Sequence, residues 1–428
     1  MGRVVVIGAG AMGLAAGYYA LKRGHRVTVL EAAPEPGGMA AHFDLGGLSI
    51  ERYYHFVCKA DRPTFELLDE LGLADRMRWV ATSMAYYIDG ALEPWGDPLS
   101  LLRFSKLSLV EKLRYGAMIF FAVRRRDGGA GLEQVSAKDW ITRWCGKRVY
   151  ERLWAPLFEL KFYQYAENIS AAWSWSRIKR LGTSRRSMFQ EELGYIEGGS
   201  ETLILALVDA IRKRGGEVRL ATPASRIAVA DGRVTGVVAG EETFAADAVI
   251  STVPTPLVPR LAPDLPAADL ARYGAIVNIG VVCVVLRLKR SFSPHFWINI
   301  ADSRFAIPGI VEFSNLRPAG DTVVYVPYYM PVTHPKFARS DEFFRTEGFG
   351  YLKLINPALR EDDVIACYVG RLRHAQPVCP PGFAAMLPPV QTAIAGLQIA
   401  DTCFYYPADR GIAESVRLGK AMAERIAA

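Results

Sequence analysis

An α/β fold with a doubly wound, Rossmann-like parallel sheet is predicted by the start of the sequence. Arg3 to Ile7 is a β-branched run typical of a parallel strand that is covered on both faces. The glycine-rich stretch GAGAMG follows at once, AGYYALKRG predicts a helix that ends at Gly24, and HRVTVLE predicts a second strand. Strand, glycine-rich turn, helix and strand in this order indicate a βαβ unit that binds a dinucleotide.

The three glycines of this stretch have separate physical reasons. Gly8 permits the tight turn after the strand, Gly10 lets backbone approach a pyrophosphate, and Gly13 lets helix and strand pack closely. The helix that begins here directs its first amides at the phosphates. Ala11 and Met12, which lie between the second and third glycines, therefore join the candidate cofactor contacts.

The residue at the tip of the second strand selects among dinucleotides. Glu31 lies about 20 residues after the glycines, where a carboxylate accepts the adenosine ribose hydroxyls, and Ala32 follows it. A carboxylate in this position repels a 2′-phosphate. The sequence therefore disfavours NADP and leaves NAD and FAD as the ligands of this site.

Bulk composition predicts a globular chain with more than one domain. At 428 residues, 51% hydrophobic and 22% charged, the chain is too long for one ordinary core and has no signature of disorder. The formal charge of +7 favours an anionic partner, such as a phosphate-bearing cofactor, an acidic substrate or an anionic lipid surface. Nucleic acid is not predicted as a partner, because no dense Lys/Arg run interleaved with aromatic residues is present.

Cysteine spacing and hydropathy predict the setting of the protein. The six cysteines lie far apart without a CxxC pair or zinc-ligand spacing, which predicts a reduced, cytoplasmic protein without a metal site. The apolar start is broken by Gly-Ala-Gly, so it is interpreted as strand and helix rather than as a signal peptide. No later stretch reaches the roughly 18 uncharged apolar residues that a membrane-spanning helix needs.

The segment EAAPEPGGMAAHF distinguishes between the two remaining dinucleotides. It resembles the first motif of the FAD-dependent family that includes flavin amine oxidases, protoporphyrinogen oxidases and carotenoid desaturases, which continues past the acid into a Gly-Gly pair. Here that pair is Gly37 and Gly38, and two residues without Cβ let main chain pass close beside an extended cofactor. Met39 stands where the family usually has Arg or Lys. The resemblance implies that the cofactor is FAD.

A second segment, FDLGGLSIERYYHFV, resembles the family's stretch of an acid, any residue, Gly, Pro or Ala, and His. Glu51 takes the place of the acid and His55 that of the histidine, while Tyr53 and Tyr54 replace small residues. In the family this stretch runs beside the isoalloxazine ring, so the bulky residues imply a reshaped pocket. Tyr54 and His55 are candidate catalytic residues, and a structural role is the alternative for both.

From residue 99 to about 187 the pattern turns helical and aromatic. In LSLVEKLRYGAMIFFAVRRRDGG, apolar residues alternate with basic ones and precede three consecutive arginines. One interpretation is an amphipathic helix on anionic lipid, and the favoured one is a substrate-domain helix whose arginines suit its C-terminal dipole. The stretch WAPLFELKFYQYAENISAAWSWSRIKR is dense in Trp and Tyr, which indicates core packing or the wall of a hydrophobic substrate channel.

The family pattern returns with GYIEGGSETLILALVDAIRKRGGEV, a Gly-Gly-Ser turn and amphipathic helix followed by a strand. In the family that strand carries a backbone contact to adenine, which falls on Val218. Hairpins are predicted at Asp89-Gly90 and Asp231-Gly232. Alternation in IVNIGVVCVVLRLKR and DTVVYVPYYMP indicates the sheet of a substrate domain.

The C-terminal segment GLQIADTCFYYPADRGIAESVRLGKAMAERIAA follows the family's closing plan of a strand, a Gly-Asp pair, a Pro-containing loop and a helix. The resemblance implies that Asp401, preceded by Ala400 in place of Gly, accepts ribityl or pyrophosphate-side hydroxyls. It also implies that Arg410, Gly411 and Ile412 present helix-end dipoles to the flavin N1–C2 carbonyl edge, where negative charge accumulates on reduction.

Two features of this segment have alternative interpretations. Asp409 precedes the helix and is a candidate N-cap, a role that is compatible with a cofactor site. Tyr405 and Tyr406 fall in the loop nearest the flavin ring. One interpretation is that they form a substrate cage and take part in catalysis, and the other is that they only pack the loop.

The resemblance implies a FAD-binding domain that is discontinuous in sequence, over residues 1–78, 190–256 and 380–428. An inserted α+β substrate domain occupies residues 79–189 and 257–379. The implied activity is hydride transfer from a substrate C–H or C–N centre to flavin N5, on a hydrophobic or ring-bearing small molecule. A non-redox flavin enzyme resembling UDP-galactopyranose mutase and a lipid-handling carrier resembling GDP-dissociation inhibitor are the alternatives.

The remaining expectations concern attachment and location. FAD is expected to be non-covalent, because neither Cys379 nor Cys403 lies in the Cys-Tyr context of relatives that attach it. A cytoplasmic protein is expected, with contact to an anionic membrane limited to its periphery. The sequence makes no prediction about the oligomeric state.

Overall fold

The structure, a computed structural model, describes residues 1–427. The helices in chain order are α1 (Ala11–Lys22), α2 (Arg62–Glu70), α3 (Pro98–Arg103), α4 (Leu109–Arg124), α5 (Ala137–Cys145), α6 (Lys147–Val149), α7 (Ala155–Phe162), α8 (Ala171–Thr183), α9 (Ser200–Lys213), α10 (Val258–Leu261), α11 (Ala267–Ala275), α12 (Asp341–Ile355), α13 (Phe383–Met386) and α14 (Ile412–Glu424).

The strands in chain order are β1 (Arg3–Ile7), β2 (Arg26–Leu30), β3 (His42–Asp44), β4 (Ser49–Glu51), β5 (Met77–Thr82), β6 (Met84–Ile88), β7 (Ala91–Trp95), β8 (Arg185–Ser187), β9 (Gln190–Ile196), β10 (Glu217–Arg219), β11 (Arg226–Ala230), β12 (Arg233–Ala239), β13 (Glu242–Ala245), β14 (Ala248–Ser251), β15 (Asn278–Leu288), β16 (Trp297–Ala301), β17 (Gly309–Glu312), β18 (Thr322–Met330), β19 (Val364–Pro377) and β20 (Leu397–Ile399).

A five-stranded parallel sheet is built from three separate segments of the chain. Its order is β10-β2-β1-β14-β20, and the central strand β1 pairs in parallel with β2 and β14. The side chains of β1 alternate between two cores: Val4 and Val6 pack with α1, α9 and α14, and Val5 and Ile7 pack with β11, β12 and α10. Burial on both faces is what the β-branched run predicted, and the α/β fold with a discontinuous nucleotide domain is confirmed.

A seven-stranded sheet forms the core of the second unit, in the order β19-β15-β18-β17-β16-β6-β7. Its strands come from residues 84–95 and 278–377, on either side of the second segment of the parallel sheet. Strand β15 shows the period of two that the sequence predicted: Val282 and Val284 pack with α12, while Val281 and Val285 face the helical, aromatic region.

A three-stranded antiparallel sheet, β5-β9-β8, connects the two units. The domain borders expected at residues 78 and 190 fall inside this sheet, because β5 and β9 pair along their whole length from Met77–Ile196 to Thr82–Glu191. The two units are therefore linked by a hydrogen-bonded ribbon at this point.

The two predicted hairpins are confirmed. Strands β6 and β7 are joined at Asp89 and Gly90, with φ of 50° and 76°, and strands β11 and β12 at Asp231 and Gly232, with φ of 49° and 72°. Two consecutive positive φ angles define the turn whose twist matches that of the flanking strands, which explains the Asp-Gly pairs.

The helical region from α3 to α8 packs against the seven-stranded sheet. Trp173 and Trp175 on α8 are buried in its core, as the core-packing interpretation predicted. Helix α4 begins at a capping box made by Ser108 and Glu111. Among the described residues, none of the helices combines the length and the apolar character needed to cross a bilayer.

Candidate functional site

The β1–α1 turn leaves the first amides of α1 without a side-chain partner. Gly8 has φ of 105°, and Gly10 is the N-cap of α1 with no side chain to accept a hydrogen bond. A Cβ on Gly13 would lie 1.9 Å from the Gly8 carbonyl oxygen. Gly13 therefore allows α1 to pack directly on the turn, and the unpaired amides at the end of β1 could bind a pyrophosphate as ligand.

The Gly37–Gly38 loop packs against this turn through backbone alone. Gly37 donates its amide to the Ala9 carbonyl at 2.8 Å, and a Cβ on Gly38 would approach the Gly10 Cα to 3.3 Å. Gly37 and Gly38 have φ of 120° and 57°, which side chains disfavour. Met39 follows at the start of a single 3₁₀ turn and is half-buried.

Glu31 joins these two loops. Its Oε2 accepts the Ala9 amide at 2.7 Å and its Oε1 accepts the Ala33 amide at 2.9 Å, while Ala32 between them is exposed. Val218 lies on the neighbouring edge strand β10, in register with Val29 of β2. The predicted ribose and adenine contacts thus lie side by side at one edge of the parallel sheet.

The closing helix α14 begins at Ile412, as the resemblance implied. Its N-cap is Gly411, with extended backbone and no side-chain hydrogen bond to the first amides. The alternative that Asp409 caps this helix is wrong, because Asp409 instead forms an ion pair with Arg177. The Arg410 side chain donates to the Tyr329 hydroxyl at 3.2 Å and to the Ala375 carbonyl.

Asp401 forms a different set of contacts from the expected one. Its Oδ2 accepts the Thr255 amide at 2.7 Å and its Oδ1 accepts the Cys403 amide at 2.9 Å. The carboxyl group is buried, and burial raises its pKa. These bonds hold the loop after β14 against the turn after β20. Asp401 therefore fixes the backbone of the site, in addition to any contact that it makes with cofactor hydroxyls.

These features fit a FAD molecule. Two helices, α1 and α14, both start at a glycine without a side-chain cap, so each offers free amides and a positive helix end. The adenosine diphosphate part would be held by Gly8, Gly10, Ala11, Met12, Gly13, Glu31, Ala32, Gly37, Gly38, Met39 and Val218. The flavin part would be held by Asp401, Arg410, Gly411 and Ile412.

Tyr54 and His55 lie deep in the protein next to the start of α14. Both side chains are half-buried, and the Arg410 guanidinium acts on the ionisation of each. The Tyr54 ring packs edge-on against Trp297 and Tyr325, with centroid distances of 5.4 and 5.7 Å. Burial raises the pKa of Tyr54 well above its ordinary value. Burial also lowers the pKa of His55 to about 4 against the opposing effect of Glu51, so both side chains are neutral at pH 7.

Glu51 is the centre of a buried ion-pair network. Its Oε2 accepts from Arg317 Nη1 at 2.8 Å, its Oε1 accepts the Ser200 amide at 3.1 Å, and His42 Nε2 lies 3.5 Å from Oε1. Burial acts to raise the pKa of Glu51, but His42 and Arg317 together lower it to about 2. No motif in the sequence indicated Arg317, which lies in a loop 266 residues away from Glu51.

Tyr405 and Tyr406 have packing contacts. Tyr405 is 2% exposed among the residues that surround α14, and its hydroxyl lies 2.7 Å from Ser415 Oγ. The Tyr406 hydroxyl donates to Glu133 at 2.6 Å and lies 2.6 Å from Ser170 Oγ. These contacts favour the interpretation in which both residues pack the loop.

Sequence reasoning missed three side chains beside Arg410. Lys161 on α7, Arg177 on α8 and Tyr329 on β18 converge there from separate elements. Lys161 was visible as an isolated cation in the apolar run PLFELKFY, but nothing near it in sequence indicated its neighbours.

Comparisons with known proteins agree with this geometry. A family model described as flavin containing amine oxidoreductase matches residues 13–345. The 15-cis-phytoene desaturase of Arabidopsis thaliana is 25% identical over 288 residues, which are 61% of this chain and 49% of the desaturase. Protoporphyrinogen oxidase 2 of the same plant is 36% identical over 115 residues, 26% of this chain and 23% of that oxidase.

The fold is also that of solved flavoenzymes. The crystal structure of reduced UDP-galactopyranose mutase matches with a TM-score of 0.76 at 15% identity, covering 99% of this chain and 95% of the mutase. The chain spans about half the length of the desaturases that it matches.

The fold agrees with the family model, which places the chain among flavin-containing oxidoreductases. The uncapped starts of α1 and α14 are the candidate contacts for the pyrophosphate and for the flavin. Since the family model covers most of the sequence, the chain belongs to the flavin-containing amine oxidoreductase family, and FAD is its cofactor.

Proposed function

We propose that this protein transfers a hydride from a C–H or C–N centre of a hydrophobic or ring-bearing small molecule to FAD. FAD, when bound, supplies hydride acceptance at flavin N5. The observation that carries the proposal is the enclosed group of Tyr54, His55, Tyr329 and Arg410 at the uncapped start of α14. This group combines the aromatic rings of Tyr54 and Tyr329 with the positive charge of Arg410 and of the N-terminal end of α14.

The residues of the chain supply orientation and electrostatics in this proposal. The free amides of α14 and the Arg410 guanidinium stabilise negative charge at the pyrimidine edge of the flavin, and they are in place before the reaction. Tyr54 and His55 line the pocket as neutral groups. A His55 pKa of about 4 makes it a weak base at pH 7, so we assign it contact with the reactants and not proton abstraction.

A hydrophobic substrate is supported by what surrounds Tyr54. The rings of Trp297 and Tyr325 flank it, and Phe313 packs against Tyr325 at a centroid distance of 5.6 Å. Aromatic walls of this kind bind apolar and ring-bearing ligands.

Anaerobic reduction separates this proposal from a non-redox flavin enzyme. The purified protein is expected to be yellow, and its oxidised flavin absorbance should disappear when a true substrate is added without oxygen. Panels of amines, isoprenoids, porphyrinogens and sugar nucleotides are the compounds to screen. If instead a compound is isomerised while the flavin ends unchanged, and only the pre-reduced protein is active, the mutase alternative holds; a colourless protein would support a carrier.

A peripheral membrane contact is a second proposal, carried by the exposed face of α3 and α4. This lipid-facing patch consists of exposed apolar side chains, namely Leu99, Leu102, Leu109, Val110, Leu113, Phe120 and Phe121. Arg103, Lys112 and Arg124 to Arg126 border it, and Glu111 is the sole acidic residue between positions 99 and 126. An apolar surface with a basic border is complementary to an anionic bilayer. Helix α4 also contacts α8, where Trp175 Nε1 donates to the Ala122 carbonyl at 2.8 Å.

Vesicle binding tests this patch. Replacing Leu113 and Phe120 together by serine is expected to weaken binding to phosphatidylglycerol-containing vesicles about tenfold or more, because two large apolar side chains no longer enter the bilayer. Sedimentation with vesicles measures it. Leu205→Ser, at an exposed apolar position on α9, is the matched control and should bind like the parent. Equal vesicle binding of the double variant and the parent would show that the patch does not contact the membrane.

A further inference from the structure

Lys161 lies in an enclosed aromatic setting beside Arg410. Its Nζ is 5.1 Å from the centroid of the Tyr329 ring, 5.2 Å from that of Trp173 and 5.5 Å from that of Phe162. Within residues 1–427 its ammonium has neither an ion-pair partner nor a hydrogen-bond acceptor. The side chain is half-buried, and Arg410 acts on it as it does on Tyr54 and His55.

The charges around Lys161 do not balance. Arg177 stacks over Trp173 at 5.0 Å, and Arg410 lies over Tyr329 at 5.9 Å, so each cation shares an aromatic ring with Lys161. Among the groups that act most strongly on Lys161, Asp409 is the carboxylate, and it is paired with Arg177. Lys161, Arg177 and Arg410 thus share one strongly acting carboxylate.

This imbalance is visible in the ionisation of the group. Burial lowers the pKa of Lys161 well below its ordinary value, and Arg177 and Arg410 act in the same direction, with Asp409 and Cys379 opposing them. Burial acts to raise the pKa of Asp409, but Arg177, Lys161 and Arg410 lower it to about 2. A buried cation without a partner is costly, and an anionic ligand removes that cost.

We propose that Lys161, beside Arg177 and Arg410, binds an anionic group of the ring-bearing or apolar substrate. The inference rests on the proposed function and specifies its substrate class: a ring-bearing or apolar molecule that carries a carboxylate or a phosphate. A substrate ammonium is disfavoured at this position, because three cations repel it.

Ligand binding to the FAD-loaded protein tests the subsite without requiring turnover. The probes are benzoate, phenyl phosphate, benzyl alcohol and benzylammonium, which share a ring and differ in charge. Calorimetry and the perturbation of the flavin absorbance give the affinities. Benzoate or phenyl phosphate should bind at least tenfold more tightly than benzyl alcohol, and benzylammonium should bind least well; whichever anion binds more tightly identifies carboxylate or phosphate as the recognised group.

Variants of Lys161 assign the effect to this residue. Lys161→Met should weaken anion binding about 10- to 100-fold, the range of a lost charged hydrogen bond, and leave benzyl alcohol unchanged. Lys161→Arg should restore part of the affinity. Lys179→Met is the matched control, because Lys179 lies over Trp175 on the same helix as Arg177 and donates to the Arg125 carbonyl.

Failure of the subsite and failure of the proposed function give different results. Tighter binding of benzylammonium than of benzoate to the parent protein overturns the subsite even if every Lys161 variant is unstable. Unchanged benzoate affinity in a Lys161→Met protein that retains its flavin also overturns it. A parent protein that is never reduced by any substrate overturns the redox proposal, and the anion preference is measured independently of that outcome.

Discussion

A Gly10→Val chain is expected to fold and to lose its FAD. Gly10 has φ of −72° and ψ of 174°, an extended conformation that valine also adopts. A Cβ at this position has the Gly37 carbonyl oxygen at 3.9 Å and the Gly38 Cα at 4.0 Å as its nearest neighbours, so the protein itself has room for it. The added side chain would stand in front of the free amides of α1, where the pyrophosphate must approach.

The expected loss is about 100-fold or more in FAD affinity, because several charge-assisted hydrogen bonds to the phosphates are blocked together. Flavin released by acid and counted per folded chain measures it, and the same assay tests for non-covalent attachment in the parent. Gly350→Val on α12, where nothing lies within 4 Å of an added Cβ, is the matched control and should retain FAD. Full flavin content in the Gly10 variant would show that the FAD pyrophosphate does not bind at the start of α1.

Gly13 provides a contrast with Gly10. An added Cβ at Gly13 would lie 1.9 Å from backbone, so a larger residue there should prevent α1 from packing on β1 and unfold the unit. Loss of FAD in a Gly13 variant would therefore not distinguish a cofactor contact from misfolding, whereas the Gly10 variant does.

Glu51→Gln is expected to destabilise the protein by about 3 kcal/mol at pH 7, because Arg317 would keep its charge inside the protein without a carboxylate. Urea unfolding of the two proteins measures the difference. Glu241→Gln, an exposed carboxylate in the turn between β12 and β13, is the control and should change little.

The same substitution should change the pH dependence of stability. The pKa of Glu51 is about 2 in the folded protein and near its ordinary value of 4.5 in the unfolded chain. A folded pKa that is lower than the unfolded one stabilises the protein above pH 4.5, and this stabilisation is lost as pH falls from 4.5 towards 2. The parent should lose more stability across that window than Glu51→Gln. Parallel curves for the two proteins would show that the Glu51–Arg317 pair contributes nothing.

The sequence predicted the parts of the site that short segments determine. Some features depend on backbone conformation over only a few residues, where glycine and proline have strong preferences. They are the turn at Gly8, Gly10 and Gly13, the two Asp-Gly turns and the start of α14. The family resemblance extended this to the order of the segments in the parallel sheet.

Side-chain partners that are distant in sequence could not be predicted. The Glu51–Arg317 pair and the convergence of Lys161, Arg177 and Arg410 exist only after two units of the fold are assembled, and a lone lysine in an apolar run is compatible with many environments. Asp401 shows a related limit: its position was implied by the resemblance, but its bonds to the Thr255 and Cys403 amides follow from how two loops meet.

The three-segment parallel sheet has a consequence for biosynthesis. Strands β1 and β2 are synthesised well before β20 and α14, which occupy residues 397–399 and 412–424. Because α14 packs on α1 and would supply the second helix end of the FAD site, that site cannot form before residues 412–424 have been synthesised. Until α14 docks, the face of α1 that it covers is exposed, and we expect FAD to be captured only after that step.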